Sequence, residues 1–147
     1  MPTYDTVQTQ MDVHMGVSPA IEASSRQIDD ISFRMNVVAK TADYTCLLRE
    51  SGTMFTMVGA AADIEFTLPA LTDGVVYWFY QATDYEMLIS AAAADTMICF
   101  NDADADAIAL TQADEHLGNC VMMVCDGTMW YCCLMLGAAD ATVVPTT

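Results

Sequence analysis

From Ile31 onward, turn-forming residues return about every ten positions, and the runs between them are about four to eight residues long. That interval suits strands and leaves little room for packed helices. Ile31, Phe33, Met35 and Val37 alternate with Ser32, Arg34 and Asn36, a period of two that buries one face of a strand. Further strands are predicted at Tyr44–Leu48, Thr53–Val58, Ile64–Leu68, Val75–Ala82, Glu86–Ser90, Thr96–Phe100, Ala107–Leu110, Cys120–Cys125 and Met129–Leu136. Glu50-Ser51-Gly52, Pro69, Asp73-Gly74 and Asp126-Gly127 punctuate them. Only Ala91–Ala94 favours helix, as one turn or a loop. There is no βαβ rhythm and no clear internal repeat. The pattern predicts an all-β domain, an antiparallel β-sandwich or a barrel-like, jelly-roll-like fold, over residues 31–147.

Residues 1–30 read differently. They are polar, free of cysteine and broken by Gly16 and Pro19, and only Ser18–Glu22 has the start of a helix. They are expected to form an extended N-terminal arm. The first ten residues, MPTYDTVQTQ, have neither the basic flank nor the apolar centre of a secretory signal.

Charge narrows the partners. Four Lys+Arg against twenty Asp+Glu give a formal net charge of −16. Nucleic acids and anionic membranes would repel such a chain, so neither is an expected partner. Yet hydrophobic residues make up 54 % of it and the mean hydropathy is +0.33. No apolar run is long enough for a spanning helix, so the excess is assigned to core and subunit interface.

The chemistry-bearing residues are few. The six cysteines, Cys46, Cys99, Cys120, Cys125, Cys132 and Cys133, have no zinc-site spacing and are expected to be reduced and mostly buried. A Cys120–Cys133 disulfide across the last hairpin is the alternative. Asp102, Asp104 and Asp106 alternate in NDADADA, so a strand would hold three carboxylates on one face. Such hard oxygens suit Ca²⁺, but an EF-hand loop from Asp102 needs Gly at 107 and Glu at 113, and both are Ala. The row is therefore read as a solvated acidic edge, with Ca²⁺ as the alternative and no cofactor otherwise expected. His14 and His116 are read as surface residues. No G-x-S-x-G elbow or phosphate-binding glycine loop is present, and no cysteine neighbours His or Arg, so the chain is not expected to be an enzyme. In Tyr77-Trp78-Phe79-Tyr80, alternate residues face opposite ways, which predicts a strand covered on both sides, one cover being a neighbouring subunit. A sugar-binding platform is the alternative. Together with Trp130 these four are the interface candidates.

Two segments carry a resemblance. YTCLLRESGTMFTMVGAAADIEFTLPALTDGVVYWFYQA (44–82) runs from a strand through a Ser-Gly turn to a strand ending in Leu-Pro, then through a Gly turn into a hydrophobic strand. CVMMVCDGTMWYCCLMLG (120–137) closes with Asp-Gly-Thr-x-Trp-Tyr. In order and spacing these resemble a β-module of tailed-bacteriophage virions, found in capsid decoration (cement) proteins and in head- or tail-fibre proteins. The chain departs from it at Leu48-Arg49-Glu50, where Ala-x-Asp is frequent, at Met129, where Asn is frequent, and over residues 83–119. The resemblance implies a non-catalytic structural protein of the virion, assembled in the host cytoplasm. It would bind the major capsid protein on the outer capsid surface, as an oligomer and specifically a homotrimer. The alternative within the family is a short head- or tail-fibre or receptor-binding protein that touches cell-surface carbohydrate.

Overall fold

The computed structural model describes residues 35–99, 102–111, 117–135 and 143–146. The described residues all belong to one compact unit within Met35–Thr147; residues 1–34, with the expected arm, its Ser18–Glu22 helix start and His14, lie outside the described residues. His116 also lies outside them.

The described strands are β1 (Asn36–Ala39), β2 (Tyr44–Thr45), β3 (Thr53–Thr56), β4 (Ile64–Thr67), β5 (Val76–Tyr80) and β6 (Met87–Ser90). They continue with β7 (Met97–Cys99), β8 (Asp102–Ala105), β9 (Ala107–Leu110), β10 (Cys120–Cys125), β11 (Trp130–Met135) and β12 (Val143–Thr146). No α-helix occurs among the described residues; Ala92–Ala94 is bend and turn. The strands form a seven-stranded sheet, β1-β3-β5-β10-β11-β7-β8, and a five-stranded sheet, β12-β9-β6-β4-β2. The two sheets pack together as the expected all-β sandwich.

The strand pairing is mixed, where antiparallel pairing was expected. The first six strands alternate between the sheets. β1, β3 and β5 stack in parallel in the large sheet, as do β2, β4 and β6 in the small one. Each circuit of the sandwich therefore adds one strand to each sheet, a three-turn coil. The later strands add antiparallel partners, β10 beside β5, β11 beside β10 and β9 beside β6, while β7 lies parallel to β11.

Aromatic side chains between the sheets hold the coil together. Phe55 of the large sheet lies 5.8 Å, ring to ring, from Phe66 of the small sheet, which lies 5.2 Å from Phe79. Tyr77 joins them and donates its hydroxyl hydrogen to the Leu47 carbonyl at 2.8 Å, so its one polar atom is satisfied. The strand predicted over Tyr44–Leu48 stops at Thr45. Glu50 accepts bonds from the Tyr44 hydroxyl at 2.7 Å and the Leu47 N–H at 3.0 Å, which folds Leu48–Glu50 into a 3-10 turn.

Candidate functional site

The turns that join the strands stack on one another. Gly52, Gly74 and Gly127 have φ of +85°, +77° and +87°, a region that glycine enters without steric cost. Gly52 N–H donates to the Val76 carbonyl, Ser51 Oγ accepts from the Val76 N–H, and Gly74 N–H donates to the Cys125 carbonyl. At the top, β10 and β11 are joined by the four-residue loop Asp126–Met129. Asp126-Gly127 thus opens a four-residue loop rather than a two-residue turn, and within it only Gly127 has positive φ. Asp126 acts as a cap instead. Its Oδ1 accepts from the Thr128 hydroxyl and from the N–H groups of Thr128 and Met129, and its Oδ2 accepts from the Tyr131 hydroxyl at 2.7 Å. These bonds, the Thr128 hydroxyl foremost, hold its carboxyl well below the usual carboxylate range. They also raise the Tyr131 phenol.

The five aromatic interface candidates separate cleanly. Tyr77, Phe79 and Trp130 are buried in the core and cannot form an interface. Trp78 and Tyr80 alternate with them and face away from the small sheet. Their position exposes a larger feature. In register across the large sheet, Val37, Met54, Trp78, Met122 and Cys133 form a row on the outward face. Tyr80 and Met135 flank it on one side, and Val76, Val124, Tyr131 and Ile98 on the other. Across six of the seven strands this face carries no charge; only β8 at the edge adds the exposed Asp104, while Asp102 pairs with buried Cys99 across a bulge. The small sheet differs: its outward face carries Glu65, Thr67 and Ser90, and Ser90 donates to Glu65 at 2.6 Å.

The strand 77–80 gave only part of this face in the sequence. The remaining signal lies in VMMV and WYCCLM, where apolar residues fill both alternations. A strand with one solvated face would alternate with polar residues.

The acidic row does not converge. Asp102 and Asp104 lie on β8 of the large sheet, while Asp106 sits at the crossing to β9 of the small sheet. Asp106 accepts the Asp95 N–H at 2.7 Å, and Asp102 accepts the Asp104 N–H at 3.0 Å. Among the described residues no three His, Cys, Asp or Glu side chains cluster as metal ligands.

All six cysteines are thiols. The register sets Cys133 opposite Met122 and Cys120 opposite Met135, so no Cys120–Cys133 bridge forms. Burial, and then Glu50, pushes the Cys46 thiol up to about 12. Cys99 and Cys132, on neighbouring strands, share a hydrogen bond that eases proton loss at Cys99 and opposes it at Cys132. A cleft of about 280 Å³ opens beside Pro69, Leu71, Ala92, Ala93, Thr96 and Trp130; none of them is titratable.

Neither a family model nor a curated protein matches this sequence.

Proposed function

We propose that this chain is a structural protein of a tailed-bacteriophage virion, a capsid decoration (cement) protein that binds the major capsid protein on the outer capsid surface as an oligomer and stabilises the head. The observation that carries the oligomer in this reading is the uncharged apolar outer face of the large sheet, on a chain of net charge −16. A contiguous apolar area of that extent marks an interaction surface. Residues 44–82 and 120–137, with their likeness to the virion β-module, supply the setting. The work is non-catalytic. Burial of apolar surface supplies the adhesion, and the acidic remainder keeps neighbouring particles apart.

The test is the copy number of this protein in purified particles, measured by quantitative mass spectrometry against the major capsid protein. Abundance comparable to the capsid protein supports decoration. A few copies per particle would move the protein to a tail or single vertex and make receptor binding the better reading. Absence from the particle would overturn both.

A further inference from the structure

We infer that the outer face of the seven-stranded sheet binds the same face of a second copy of this chain across a two-fold axis. This rests on the reading of that face as the working surface of an adhesive protein, and not on the virion setting.

Three observations select a second copy. The first is charge. A copy of a chain at net charge −16 is repelled by most of its partner's surface. The uncharged strands β1 to β7 of the large sheet offer a face that meets no such repulsion. The small sheet, with Glu65 on its outward face, offers none. The second is area. Seven strands about 4.8 Å apart, with three to six residues at about 3.4 Å each, present roughly 500 Å² before side-chain relief is counted. Two such faces remove roughly 1,000 Å² or more from water, the least a specific protein interface needs. The third is shape: a twisted sheet packs face to face on another sheet with strands within about 30° of alignment, so a like face is a fitting cover.

Charge also orients the pair. A two-fold axis perpendicular to the strands would lay β8 on β8 and set the outward Asp104 against its own copy. An axis parallel to the strands, through the central strand β10, lays β8 over β1 of the other copy, and Met122 near its own counterpart. The second arrangement avoids the repulsion. Val37 on β1, 60 % exposed in the single chain, then faces Asp104 of β8. Cys133, exposed in the single chain and in the central row, is covered.

The full-length chain tests this by sedimentation equilibrium, with Val37→Asp, Val37→Lys and Met122→Lys, each checked for folding by far-ultraviolet circular dichroism. The expected mass is twice the 15.9 kDa chain mass for wild type and V37K, and a single chain mass for V37D and M122K. Cys133 should react with a thiol reagent faster as wild type is diluted. A wild-type mass of one chain or of three would overturn the pairing. So would a folded V37D that keeps the two-chain mass; if V37D fails to fold, M122K decides the same point. A one-chain species whose Cys133 stays shielded at every concentration would assign the cover to the chain itself, which also overturns it. Particle binding separates the two readings. Two-chain mass without particle binding overturns decoration alone, and one-chain mass with particle binding overturns pairing alone.

Discussion

Replacing Gln81 with leucine should destabilise the domain by about 2 kcal/mol, although leucine adds apolar volume to a buried site. Gln81 is fully buried at the end of β5. Its Nε2 donates to the Tyr85 carbonyl at 2.9 Å and the Leu110 carbonyl at 3.3 Å, and its Oε1 accepts from Asn119 Nδ2 at 3.2 Å. One side chain thus ties the large sheet to β9 of the small sheet and to the segment that enters β10. The Leu110 and Asn119 bonds are buried, and losing each costs about 1–2 kcal/mol; the Tyr85 bond is nearer solvent and costs less, about 0.5 kcal/mol. Burial of leucine in place of the amide returns about 1–2 kcal/mol. The main-chain bonds, Gln81 N–H to Asn119 O and Gly118 N–H to Gln81 O, survive the substitution, so the side chain alone is tested. Urea unfolding should show a lower midpoint with an unchanged slope. The melting temperature should fall by roughly 8 °C. Gln81→Met, as flexible as glutamine, should behave like leucine. A change within about 0.5 kcal/mol of wild type for both variants would refute the reasoning, because the buried bonds would then contribute nothing net.

Phe55→Ala removes the ring at the centre of the core and should cost about 3–5 kcal/mol; a double-mutant cycle with Phe66→Ala should return a coupling of about 1 kcal/mol, and additivity would deny the inter-sheet contact. Gly127→Ala should cost about 1–2 kcal/mol through its positive φ, and Gly52→Ala about the same, since an added Cβ meets ordinary contact at 3.4 Å from Asp73 Cβ in one case and open space in the other. Two unequal losses in urea unfolding would show a contact cost beyond the backbone one. Asp126→Asn should lower the melting temperature at neutral pH. Because the folded carboxyl is held below its ordinary 3.8, its stabilisation is present above that value and is lost as pH falls through the lower folded value. The gap to wild type should therefore close in strong acid, and the Tyr131 phenol should fall towards 10.0 in the variant by ultraviolet titration. A pH-independent gap would sink this account.

The strands themselves were legible in the sequence because each is a local matter of side-chain shape and turn chemistry. Ala107–Leu110 and Cys120–Cys125 form over the residues predicted, and most of the others end within one or two residues of theirs. The parallel coil was not legible. Its register joins residues far apart, such as Val38 to Phe55 and Phe55 to Phe79, at unequal separations that leave no repeat in the sequence. Asp102–Ala105 becomes a strand although Asp and Ala disfavour one. It is an edge strand beside β7, and Ala105 is fully buried there, so tertiary packing overrides local preference. Of the candidate site, the outward half of Tyr77–Tyr80 could be anticipated. Its extension over Met54, Met122 and Cys133 depends on which strands become neighbours, which the sequence pattern does not encode.

The edges of the sheets bear on how copies of this chain can meet. An open edge carries unpaired N–H and C=O groups and invites strand addition, which continues without limit when the joined surfaces are different ones. Among the described residues, three of the four sheet edges are blunted. β8 carries Asp102 and Asp104, β2 has only two residues, and β12 contains Pro145, which has no N–H to donate. The fourth, β1, is only four residues long. Growth by edge pairing is thereby opposed, while the uncharged face of the large sheet is left unopposed. A face used isologously closes on itself after two copies and leaves no further site. A chain built in this way gains contact area without the risk of fibres, because acids, proline and short strands oppose pairing where it would be open-ended, and charge is missing where pairing would be closed.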